Sequence, residues 1–121
     1  MRGSTRGIWA VACVLLGGCA GMVGPGAPSL SALEQVCGAQ TDFGGDTQSV
    51  YSAYLDAYVA YRHGRLPQQA YCAFQSSIAE RHAALAAAGP GARAQWADFF
   101  NDARARALSW RAAVDPSLRG G

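Results

Sequence analysis

Residues 92–114 read ARAQWADFFNDARARALSWRAAV, and this stretch decides the fold. Within it Trp96, Phe100, Ala103, Ala107, Trp110 and Val114 recur at steps of four, three, four, three and four. An α-helix turns once in 3.6 residues, so these six side chains share one stripe while Asp98, Asn101, Asp102, Arg104 and Arg106 fall outside it. A seam of that kind has to be covered by another helix. The flanks agree with the boundaries: Gly89-Pro90-Gly91 breaks whatever precedes it, and Asp115-Pro116 stops whatever follows.

Working backward, the same period recurs. Leu66-Pro67 opens a third helix that runs to about Ala88, with Tyr71, Phe74, Ile78 and Leu85 as its apolar face and Ala70 and Ala86 beside them. A second helix begins at a cap from Asp46 or Thr47 and ends near His63, with Gly64 just beyond its end. Tyr51, Tyr54, Tyr58 and Tyr61 form one seam of it, and Val50, Leu55 and Val59 make it apolar on a second side. Such a helix either lies at the centre of a bundle or keeps one face for a partner. A short first helix spans about Ala32 to Gln40, where Ser31 and Glu34 have capping-box spacing. Thr41 to Asp46, with Gly44-Gly45, reads as a loop. No segment alternates as a strand does. The expectation is an all-α fold: a small bundle of three long helices and one short helix, with short connections between antiparallel neighbours.

The chain has 121 residues, half of them apolar and 15% charged, which suits one globular domain with a modest core. The formal charge of +2 comes from Arg2 and Arg6 near the start; the remainder balances eight arginines against eight acids and contains no lysine. A nucleic-acid partner is not expected, because no basic stripe remains to track a phosphate backbone.

The first residues carry the other strong signal. Met1 to Gly7 is short and positive, Ile8 to Leu16 is apolar, and small residues follow. That is the plan of an export signal. The apolar run is about half of the ~20 residues a lasting transmembrane helix needs. It ends in Leu16-Gly17-Gly18-Cys19, which resembles the lipobox of bacterial lipoproteins. The resemblance implies cleavage between Gly18 and Cys19, a diacylglyceryl thioether on Cys19 and a further acyl chain, such as palmitate, on the new amino group. Several chains on one residue anchor stably where one alone is marginal. In proteobacterial lipoproteins an Asp after the cysteine favours inner-membrane retention, so by this resemblance Ala20 favours the outer membrane, facing the periplasm. The expected organisation is a signal peptide over 1–18, a lipidated Cys19 and tether to 30, a helical domain over 31–115 and a short tail over 116–121. Residues 20–30, with three glycines and two prolines, would extend roughly 35 Å at ~3.3 Å per residue.

Cysteine counting supports export. Cys13 leaves with the signal and Cys19 takes lipid, so Cys37 and Cys72 remain to pair. In an oxidising compartment a disulfide is their default state, here a structural staple; there is no C-x-x-C motif to suggest redox catalysis.

Other candidate chemistry has a plainer reading. The tyrosine seam of Tyr51, Tyr54, Tyr58 and Tyr61 could offer a partner-binding surface, but such seams more often pack in a core with their hydroxyls at its rim. His63 and His82 have no metal-ligand spacing around them, and no metal or cofactor is expected. Asp98 and Asp102 share a face, but Arg106 four residues on suggests an ion-pair ladder rather than a catalytic carboxylate pair. No nucleophile-elbow or phosphate-loop motif is present. The expected function is therefore a non-enzymatic lipoprotein that binds a protein partner or aids envelope or secretion assembly. The layout looks like the helical pilotins of secretion systems, small lipoproteins whose bundle receives a partner's carboxy-terminal helix in a groove. An immunity, exclusion or inhibitor lipoprotein is the alternative, and a small envelope enzyme or ligand carrier a further one.

Overall fold

The computed structural model describes residues 26–115, so the signal segment, Cys19 and the final tail lie outside the described residues. Four α-helices follow in order: α1 over Leu30–Gln35, α2 over Thr47–Arg62, α3 over Gln68–Ala87 and α4 over Ala92–Val114, with a single 3-10 turn at Gly44–Asp46 before α2. There is no strand among the described residues. The fold is all-α, three long helices and one short one.

The seam from Trp96 to Trp110 is the packing face of α4. Trp96, Phe100, Ala103 and Ala107 are buried, and Trp110 packs partly buried against the same core. The most extensive helix–helix contact is α2 on α4, with α3 packed against both. Ala53, Ala57 and Ala60 of α2 are buried, as are Ala103 and Ala107 of α4. Small side chains in such positions let helix axes approach closely. The second helix is thus the central one, and most of its two apolar faces is used inside: Val50 is buried, Tyr51, Leu55, Tyr58 and Tyr61 pack against the core from its edges, and Val59 is half-buried. Among the described residues, Leu108 is the one large hydrophobic side chain left well exposed.

On α3, Tyr71, Phe74 and Ile78 are buried and Leu85 partly so, and the seam position between Ile78 and Leu85 is held by His82. The end of α2 is a Schellman turn. The Arg65 amide donates to Ala60 O (2.9 Å) and the Gly64 amide to Tyr61 O (3.1 Å), with Gly64 at φ +77°. That backbone region is the reason for glycine there.

Two local expectations differ. The first helix starts at Leu30 rather than near Ala32, because Ser29, not Ser31, is its cap: the Ser29 hydroxyl accepts the Ala32 amide at 3.1 Å. It ends at Gln35 rather than Gln40, ahead of Gly38 at φ +90°, whose amide donates to Glu34 O (2.9 Å). Ser31 instead meets the side chain of Gln40 (3.2 Å), and Glu34 turns away from the helix start to accept the Thr41 amide (3.0 Å). The capping box is not formed. At α2, Asp46 occupies the cap position but makes no side-chain cap bond, since its carboxylate is committed to α3 and α4; the Thr47 hydroxyl donates back to Gly44 O (2.7 Å).

Candidate functional site

Cys37 and Cys72 are bonded, with Cα atoms 5.4 Å apart and a separation of 35 positions in sequence. The bridge joins the turn after α1 to the first turns of α3. Hydrogen bonds reinforce the same joint. Gln75 Nε2 donates to Leu33 O (2.9 Å), and Gln68 Nε2 donates to Val36 O (3.2 Å). A six-residue helix has too few internal bonds to hold itself, so α1 exists because α3 and α2 hold it.

The segment before α1 is also fixed. Tyr51 Oη donates to Pro28 O at 2.7 Å, tying the chain to the second turn of α2. The proposed lipid site at Cys19 lies outside the described residues, nine positions before Pro28.

The four tyrosines of α2 divide by burial. Tyr54 is 1% exposed, edge-on to Phe43 and Phe74, and its hydroxyl donates to Gln75 O at 3.1 Å. Burial pushes its phenol well above the usual range, with the Glu34 charge adding to the effect. It belongs to the core and offers nothing to a partner in this state. Tyr51, Tyr58 and Tyr61 are half-buried. Tyr61 stacks on Tyr71 with centroids 5.2 Å apart, and the Arg62 guanidinium sits 5.9 Å from the Tyr58 ring centre. Tyr71 is fully enclosed, and burial raises its phenol too. Its hydroxyl lies near the Gln75 side chain but has no partner in hydrogen-bonding geometry.

A charged cluster that the sequence did not reveal ties the three long helices together at one end. Asp46, before α2, receives Arg93 of α4 through both guanidinium nitrogens (2.7 and 3.1 Å) and His82 Nε2 of α3 at 3.0 Å. The Arg93 bond holds the Asp46 carboxyl below the usual carboxylate range, against a smaller opposing effect of burial. The His82 ring is edge-on to Phe43 and Trp96, with centroids 5.1 and 5.0 Å away. An acid, a histidine and an arginine in one place suggest chemistry, yet no nucleophile completes them, and the aromatic rings on His82 mark it as a packed strut. Partners 36 and 47 positions apart leave no local pattern to read.

Three further charged or titratable groups have structural partners. His63 Nδ1 lies 2.8 Å from Val59 O at the end of α2. Arg106 leans over Phe74 and Trp110 rather than pairing with Asp102, so the expected ladder on α4 is not formed. Arg111 reaches across to Asp56 of α2 at 2.9 Å. Among the described residues no three His, Cys, Asp or Glu side chains cluster as a metal site would require, and no helix is long and apolar enough to cross a membrane.

No protein-family model matches this chain, and neither a curated protein nor a solved structure is significantly similar to it. What the residues themselves do therefore carries the functional reading.

Proposed function

We propose that the protein is a lipid-anchored, non-enzymatic lipoprotein of the bacterial envelope whose helical domain binds a protein partner on the periplasmic side of the outer membrane. The observation that carries this reading is Leu16-Gly17-Gly18-Cys19 at the end of a positive-then-apolar leader. The Cys37–Cys72 bridge supports it, since disulfides persist in exported proteins and are rare in reducing compartments. The tie of Pro28 to Tyr51 sharpens the geometry. With the chain held from Pro28 onward, eight residues separate Cys19 from the domain, a reach of at most roughly 30 Å. A partner must therefore come to the domain close to the membrane surface.

The pilotin-like variant of this proposal places an amphipathic helix in an apolar groove. The two apolar faces of α2 supply little of that groove, because Val50 is buried and Tyr51, Leu55, Tyr58 and Tyr61 pack against the core. The surface left for it is the cleft between α3 and α4 floored by Phe74 and Trp110 and edged by Ala70, Ala73 and Arg106.

Intact-mass analysis of the protein extracted from envelopes tests the anchor. A mass beginning at Cys19 with diacylglyceryl and acyl additions is expected, and Cys19→Ser should accumulate as an unlabelled precursor during growth with radioactive palmitate. A chain that keeps Met1, or that starts beyond Cys19 without acyl mass, defeats the reading. Affinity capture of the anchored protein after cross-linking should recover one partner that is lost when the tether is cut.

A further inference from the structure

Glu34 is the anomaly of the core. It is 3% exposed, yet no Arg or His among the described residues lies within ion-pairing distance of it. One carboxylate oxygen accepts the Thr41 amide at 3.0 Å; no other described residue bonds to the group. A carboxylate withdrawn from water without a counter-charge is costly, and such groups are ordinarily paired. Its second oxygen is not among the fully enclosed polar atoms that lack a partner, so it meets open space.

That space is a cavity of about 170 Å³ beside the disulfide. Glu34, Thr41, Tyr54 and Gln75 line its inner part, exposed Glu80 stands at its rim, and the Cys37–Cys72 bridge and Ala79 supply apolar wall. No cationic side chain lines it. The volume corresponds to five or six waters at a share of ~30 Å³ each, room for an unbranched chain of about that many heavy atoms.

We propose that this cavity binds one alkylammonium group, with Glu34 as its counter-ion, Glu80 drawing it to the mouth and the disulfide packing against its methylenes. The charge requires a cation. Size selects ammonium over guanidinium, because a guanidinium on a three-carbon stem has about seven heavy atoms and the cavity has room for five or six. The shape requires a short apolar stem behind the charge. The chain has no lysine of its own to fill the site, so the group comes from outside: a lysine side chain of a partner protein or a free aliphatic amine. The inference is independent of lipid attachment, since it stands on Glu34 and the cavity alone.

The test uses the oxidised full-length protein in detergent, titrated with n-butylammonium chloride and followed by nitrogen-proton NMR at the Thr41 amide and the Gln75 side chain. Saturable shifts at both are expected, with a dissociation constant on the order of millimolar for so small a probe. The neutral isostere n-butanol should bind at least about tenfold more weakly, and Glu34→Gln should lose affinity by about the same factor, the weight of one charged hydrogen bond. Should Glu34→Gln not fold, Ala79→Leu leaves Glu34 in place, fills the cavity and should abolish the shifts. Tighter binding of a lysine-bearing peptide than of putrescine supports a protein source for the amine, and the reverse order supports a soluble one. Absence of saturable shifts, equal binding of n-butanol, or unaltered affinity in both variants overturns the proposal.

Discussion

The double variant Cys37→Ala/Cys72→Ala asks how much of the fold rests on one bond. The bridge closes a loop with a sequence separation of 35. The chain-entropy model assigns a loop of that length about 4 kcal/mol, through the freedom it removes from the unfolded chain. For a domain near 90 residues each kcal/mol moves the melting midpoint by roughly 4–8 °C, so a fall of about 15–30 °C is expected. Domains of this size have only ~5–15 kcal/mol in total, so the variant should fold but with little margin. Urea unfolding followed by circular dichroism measures both the midpoint and the slope. If α1 stays docked through Leu33, Gln68 and Gln75, the slope does not fall, and it rises slightly as the unfolded chain expands without its crosslink. If α1 detaches first, the slope falls, because less surface is exposed in the main transition. A variant that loses less than about 1 kcal/mol with no fall in slope refutes the reasoning, since the unfolded chain would then gain almost nothing from losing the bond.

Tyr54→Phe should cost about 1 kcal/mol, because its hydroxyl donates to Gln75 O inside the core; Tyr71→Phe should be neutral or slightly stabilising, since it removes an enclosed hydroxyl without a partner. Parallel urea melts of the two check the contrast. Asp46→Ala should cost about 1 kcal/mol at neutral pH through the loss of its bonds to Arg93 and His82. Because the folded-state pKa of Asp46 lies below its unfolded value, that contribution is complete above the unfolded pKa near 4 and disappears as pH falls through the folded one. Acid titration of stability should accordingly show a smaller loss below pH ~4 in the variant than in the parent. Gly64→Ala should cost about 1 kcal/mol by forcing a Cβ into the left-handed region, readable as a lower thermal midpoint.

Periodicity and punctuation made the long helices legible. The four-three spacing from Trp96 to Val114, the Gly64 stop and the Gly89-Pro90-Gly91 break each reflect forces acting within a few residues, so the sequence displays them directly. The Cys37–Cys72 pairing was legible by elimination among four cysteines. What stayed hidden was decided by competition between distant groups. Two serines, Ser29 and Ser31, could cap α1, and the pattern with Glu34 favoured Ser31; the Thr41 amide claimed Glu34 instead and left the cap to Ser29. Asp46 or Thr47 suits the cap of α2 by position, and Asp46 occupies it, but Arg93 and His82 hold its carboxylate from two other helices. Arg106 found two aromatic faces more accessible than Asp102.

The shift of the α1 cap decides where Glu34 lies. Had Ser31 and Glu34 closed a capping box, the Glu34 carboxylate would have stayed in water at the helix start and α1 would have begun two residues later. Moving the cap to Ser29 rotates Glu34 into the joint between α1 and α3, where the disulfide and the Gln75 bond to Leu33 hold it. A helix of six residues could not keep a bare carboxylate buried by itself, because undocking would return the charge to water at little cost. The covalent staple removes that escape. The disulfide thus stabilises the domain and also holds Glu34 in the joint, and reduction should loosen both together. That coupling is hard to explain as architecture alone, since a glutamine at position 34 would accept the Thr41 amide without the charge.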